Sequence, residues 1–145
     1  MSTVLIVDDD LENRWALQLA LENRGYHVVL AENGRDALRK ASLDFPKLVI
    51  TDWQMPEMDG TELCRRLKCQ PAFAETPVVM LSAMPEPAYA GRCWAAYLRK
   101  PAAIEELLRT VDAFMAERLP NARATSASEY FASSRWRAID SKCWP

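Results

Sequence analysis

Along the chain, short unbroken apolar runs alternate with stretches in which apolar residues return every three or four positions. TVLIV (3–7) is the first run, and Leu11, Trp15 and Leu19 then recur at helical spacing until Gly25. YHVVLA (26–31) is the second, followed by Asn33-Gly34 and a helical pattern containing Ala37, Leu38 and Ala41. KLVIT (47–51) is the third; past Pro56 a helix is expected from about Asp59, with Leu63 and Leu67 facing inward. PVVML (77–81) is the fourth, opened by Pro77, which a strand accepts at its first position. A fifth strand is expected near Ala95 to Arg99, leading through Pro101 into a stripe of Ile104, Leu107, Leu108, Val111, Phe114 and Met115. Strand and helix signals in strict alternation predict βα units around a parallel sheet.

A parallel sheet is buried on both faces, so helices must cover both. Its ligand site belongs at the carboxyl ends of the strands, and the residues that follow the apolar runs are the ones that carry chemistry. The first run ends in Asp8, Asp9 and Asp10, the third in Asp52, the fourth in Ser82 and the fifth in Lys100. In LVITDWQMPEMDG (48–60) the strand runs straight into Asp52 and is then broken by Met55-Pro56, with Gly60 expected to relax the entry into the next helix. Three neighbouring carboxylates repel one another unless a cation sits among them. Mg²⁺, which favours hard oxygen ligands, is the natural candidate. A carboxylate is also a nucleophile toward phosphorus, and Lys100, a Ser82 hydroxyl and the metal would neutralise incoming phosphoryl oxygens. Taken singly, Asp10 reads as an acidic helix start, Lys100 as a surface lysine, His27 as an ordinary strand residue, Trp53 as a surface neighbour of the site, and the Leu and Met residues of the helices as core.

Composition narrows the class. The 145 residues suit one domain, one that buries roughly 68–70% of its unfolded surface. The formal net charge of −2 gives no basic field for nucleic acid. It is unevenly spread, with 14 Lys+Arg against 18 Asp+Glu in residues 1–119 and 4 against 2 in residues 120–145. Cys64, Cys69, Cys93 and Cys143 show no C-x-x-C spacing and there is one histidine, which argues against zinc and for reduced thiols in the cytoplasm. The start MSTVLIVDDD lacks a basic segment before a long apolar one, and no stretch approaches the length of a membrane span, so neither secretion nor a membrane is expected.

IVDDD, ITDWQMPEMDG, VVMLSA and YLRKP, in that order and each at a predicted strand end, resemble the receiver domain of two-component response regulators over about residues 3–118. The resemblance implies a flavodoxin-like doubly wound sheet of order 2-1-3-4-5. It also implies that Asp52 is the phosphoacceptor, that Asp8, Asp9 and Asp52 hold Mg²⁺ with the backbone carbonyl of Gln54, and that Ser82 is the switch hydroxyl. Lys100 would be the ion-pair partner, with a cis bond to Pro101, and Tyr97 the aromatic that follows Ser82. The implied partners are a sensor histidine kinase or histidine phosphotransfer protein and a downstream protein target. A stand-alone receiver is the leading expectation: a phosphoacceptor that assists its own phosphorylation and dephosphorylation rather than an enzyme. A phosphorelay intermediate or phosphate sink is the alternative. An aspartate-nucleophile phosphatase is remote, because Gln54 stands where that family needs a general acid.

Two departures from the family stand out. Only 14 residues separate Ser82 from Tyr97, and Pro85 and Pro87 lie among them. A helix between the fourth and fifth strands should therefore begin no earlier than about Glu86 and be short, irregular or absent. Residues 120–145, beyond a receiver of 1–119, carry Tyr130, Phe131, Trp136 and Trp144 without a sustained helical stripe. Two expectations stand for them: a mobile tail, or a segment docked on its own domain or on a second copy in a homodimer.

Overall fold

The structure is a computed structural model that describes residues 2–87, 93–101 and 103–116. Five strands, β1 (Thr3–Val7), β2 (His27–Ala31), β3 (Leu48–Asp52), β4 (Val78–Ser82) and β5 (Ala96–Arg99), form one parallel sheet of order β2-β1-β3-β4-β5. The helices among the described residues are α1 (Leu11–Glu22), α2 (Gly34–Asp44), α3 (Gly60–Lys68), the short 3₁₀ turn Pro71–Phe73 and α4 (Ile104–Ala116). This is the flavodoxin-like order expected from the sequence. The two central strands β3 and β4 are buried at every position, as a strand covered on both faces must be.

Three helices start where a side chain can satisfy a free backbone N–H. Asp10 accepts from Glu12, Asn33 from Asp36 and Asp59 from Glu62. Asp10 thus plays the helix-start part read from the sequence. Packing divides the core into two layers. Leu5, Val7, Val49 and Met80 meet Ala37 and Ala41 of α2 and Leu63 and Leu67 of α3 on one face, while Val4, Ile6, Ile50 and Val79 meet Leu17 and Leu21 of α1 and Leu107, Leu108 and Val111 of α4 on the other. Each such fully buried aliphatic side chain contributes about 1.5–3 kcal/mol.

Three expectations change. Strands β2 to β5 begin one residue later than the apolar runs suggest, while β3 and β4 end in Asp52 and Ser82 as expected. On α1 the buried residues are Leu17 and Leu21, whereas Leu11, Trp15 and Leu19 are exposed. The helix has two rival apolar stripes, and the sheet accepts the one that meets α4. Leu43 of α2 is exposed as well, so not every helical leucine is core.

No helix lies between β4 and β5 among the described residues; 88–92, where part of that expectation falls, are outside them, as are the 119/120 boundary and the whole of 120–145. Ahead of β5, Cys93 and Trp94 reach the core on the α2/α3 face, and Trp94 is among the largest fully buried side chains. No helix among the described residues is long and apolar enough to cross a membrane.

Candidate functional site

Parallel alignment puts the final residues of β1, β3, β4 and β5 along one edge. Val7 pairs with Thr51, Asp52 with Leu81 and Ser82 with Arg99, so the residues at the ends of these strands are brought side by side. Carboxylate oxygens of Asp8, Asp9 and Asp52 all lie within 4.8 Å of one another. Lys100 Nζ stands 3.0 Å from Asp52 Oδ1 and 3.8 Å from Asp8 Oδ2. The Lys100–Pro101 bond is cis.

The charges are short of water. Asp8 is 1% exposed and Asp52 9%, while Asp9 faces solvent. Asp8 Oδ1 accepts from the Asp10 N–H at 2.9 Å, but Asp8 Oδ2 is buried with no hydrogen-bond partner among the described residues. Burial pushes the Asp8 carboxyl above its ordinary range, against the Asp10 N–H and Lys100, with Asp52 and Asp9 adding repulsion. Burial likewise pushes Asp52 up, opposed by its hydrogen bond and attraction to Lys100 and reinforced by Asp9. A buried carboxylate oxygen without a donor is costly. The donor set here, three carboxylates gathered on one point, is of the kind that holds a hard divalent cation.

The surrounding backbone keeps the edge in shape. Thr51 Oγ1 donates to the Asp52 carbonyl at 2.9 Å, and the Gly60 N–H donates to the Trp53 carbonyl at 2.7 Å. A Cβ on Gly60 would sit 2.5 Å from the Asp52 carbonyl oxygen and 2.7 Å from Met80 Sδ. The glycine is therefore required by close approach, not by the relaxed backbone expected of it. The loop turns at Glu57, whose φ of 69° lies in the left-handed region, a conformation that costs roughly 1–2 kcal/mol for a residue with a Cβ.

Ser82, 1% exposed, accepts the Met84 N–H on its Oγ at 3.0 Å. The Tyr97 hydroxyl donates to the Met84 carbonyl at 2.7 Å, so the two residues meet through one peptide segment. The Tyr97 ring lies between Trp53, edge-on at 6.2 Å, and Trp94 at 6.0 Å. Trp53 is half-buried against the core rather than lying on the surface. Gln54, two residues beyond Asp52, is exposed in the β3–α3 loop, and its part in the site rests on the resemblance. His27 is an exposed strand residue away from this edge.

Several groups were not singled out from the sequence. Arg14 Nη1 donates to the Asp8 carbonyl at 2.6 Å, and Trp94 Nε1 donates to Glu86 Oε2 at 2.9 Å. The Arg14 contact is one helical turn from the acidic triplet and could have been suspected from spacing. The Trp94–Glu86 pair joins residues eight apart across Pro87, for which helical or strand periodicity offers no signal.

Residues 4–112 match the family model described as the response regulator receiver domain. Among curated proteins the chain is 38% identical over 122 residues to the response regulator MprA of Mycolicibacterium vanbaalenii, covering 81% of this chain and 52% of that protein. The chain spans about half the length of the curated relatives it matches. Among solved structures, the chemotaxis protein CheY4 of Vibrio cholerae superposes with a TM-score of 0.74 at 33% identity, over 79% of this chain and 98% of that one. The response regulator TrrA of Thermotoga maritima, solved in complex with Mg(2+)-BeF, does so at 0.72 and 28%, over 79% and 99%.

Proposed function

The chain belongs to the response regulator receiver domain family, and from that premise we propose that Asp52 accepts a phosphoryl group from a phosphohistidine donor in a Mg²⁺-dependent reaction. The observation that carries this reading is the Lys100 ammonium 3.0 Å from the Asp52 carboxylate, with Asp8 and Asp9 gathered beside it. One oxygen of Asp52 attacks phosphorus as the phosphorus–nitrogen bond of the donor breaks. The bonding pair returns to the imidazole nitrogen, leaving an acyl phosphate on the protein and a free histidine on the donor. Lys100, already at hydrogen-bond distance from Asp52, would neutralise charge on the phosphoryl oxygens without first having to move there.

Asp8, Asp9 and Asp52 would hold Mg²⁺, with the Gln54 backbone carbonyl as the further ligand carried over from the family. The buried, donorless Asp8 Oδ2 fits such an ion. When bound, the ion supplies positive charge opposite the transferring group. The neighbour solved with Mg(2+)-BeF supports the choice of magnesium.

Ser82 is the candidate switch. Turning its hydroxyl toward a phosphoryl group requires giving up the Met84 N–H, and Met84 is also where Tyr97 is anchored. The change would therefore pass into residues 83–86. Output is by contact with a downstream protein, in the cytoplasm. The protein is a phosphoacceptor that assists its own phosphorylation and dephosphorylation. The test is incubation with Mg²⁺ and a small phosphodonor, followed by intact mass. Wild type is expected to gain one phosphoryl group and Asp52→Asn none; equal gain by both would refute the assignment.

A further inference from the structure

Three large apolar side chains on α1 are left exposed among the described residues. Leu11, Trp15 and Leu19 are 48%, 59% and 64% exposed. Their spacing of four sets them on one side of the helix, about 12 Å from end to end. The helix does not need this face for its own packing, because Leu17 and Leu21 already meet the sheet and α4.

We propose that residues 130–137, YFASSRWR, from the chain's own C-terminal segment, dock along this outer face of α1 with Trp136 as the anchor. The first support is where the chain leaves the domain. Asp112 of α4 accepts from the Tyr26 hydroxyl and the Arg24 guanidinium, residues just past the end of α1. Ala116 closes α4 one turn later, so the segment departs beside the Leu19 end of the stripe. Residues 117–129 connect the two, and an extended chain of that length reaches roughly 40 Å, far more than the stripe requires.

The second support is charge. Glu12 lies three residues before Trp15 and Glu22 three after Leu19, both exposed, which makes them neighbours of the stripe on the helix surface. The segment brings Arg135 and Arg137 on either side of Trp136, with no acidic residue from 130 to 139. Cations flanking an apolar anchor match carboxylates flanking an apolar stripe. Tyr130 and Phe131 add apolar area within reach of the same face.

The test uses the full chain and trypsin, which cuts after Arg135 and Arg137. Cleavage there follows the undocked population. In wild type it is expected to be slow and independent of protein concentration. Leu19→Asp on the exposed face and Trp136→Ser in the segment are each expected to speed it about tenfold or more, with unchanged far-ultraviolet circular dichroism. Trp15→Gln replaces Leu19→Asp should that variant not fold. Equal cleavage in wild type and variants, or silence of either substitution, overturns the proposal. Protection that grows with protein concentration also overturns it, by giving the stripe to a second copy. None of these readouts involves phosphorylation, so the proposal fails or stands apart from the role of Asp52.

Discussion

The carboxyl edge of the sheet and the outer face of α1 break the same rule in opposite directions. At the edge, the Asp8 and Asp52 carboxylates are taken out of water, and one oxygen of Asp8 has no donor among the described residues. On α1, tryptophan and leucines are left in water. A buried charge is relieved by a counter-charge brought close, which Lys100 supplies in part and a divalent ion would complete. An exposed apolar stripe is relieved by covering it. The difference separates an edge suited to a small, hard ion from a face that leaves apolar area open, although the two meet at the start of α1.

The largest effect expected from breaking the first region comes from Lys100→Ala. It removes the ammonium beside Asp52 and is expected to slow phosphorylation by a small phosphodonor roughly 100-fold or more, measured as the rate of mass gain at saturating Mg²⁺. A Gly60→Ala chain must move either the Asp52 carbonyl or Met80 to admit the new methyl group. Overpacking of that kind costs about 1–3 kcal/mol, to be read as a lower urea midpoint.

A smaller effect comes from Asp8→Asn in divalent-free buffer. Burial raises the folded-state pKa of Asp8 above its ordinary 3.8. Below that value the group is protonated in both states and costs nothing. As pH rises from 3.8 through the raised folded-state value, the unfolded chain ionises first and the wild type loses stability. The variant escapes this loss, so it is expected to be more stable than wild type near neutral pH by about 0.5–2 kcal/mol, with the gap closing below pH 3.8. Denaturant titrations at a series of pH values measure it, and added Mg²⁺ should narrow the gap by stabilising wild type alone.

The fold was legible because each strand is a continuous apolar run and the connections after β1, β2, β3 and β5 carry helical spacing, with one-residue offsets at the starts of β2 to β5. The placement of Asp8, Asp9, Asp52, Ser82 and Lys100 at one edge was legible for a related reason: a parallel sheet forces whatever follows each run to the same edge. The stripe on α1 was misread. Leu11, Trp15 and Leu19 have the spacing of a buried face, and only the position of α4 decides that Leu17 and Leu21 are buried instead. Gly60 was placed correctly but for the wrong reason, since crowding by the Asp52 carbonyl is a tertiary fact. The Trp94–Glu86 bond and the Ser82–Met84–Tyr97 link involve residues 84–86, 94 and 97, a stretch in which Pro85 and Pro87 interrupt any helical spacing.

The most direct test of the central claim locates the phosphoryl group. After reaction with a small phosphodonor and Mg²⁺, borohydride reduces an aspartyl phosphate to homoserine, which peptide mass spectrometry can place in the chain. The expected result is homoserine at position 52 alone, absent when Mg²⁺ is omitted. Homoserine at Asp8 or Asp9 instead, or the same yield at position 52 without any divalent ion, would contradict it.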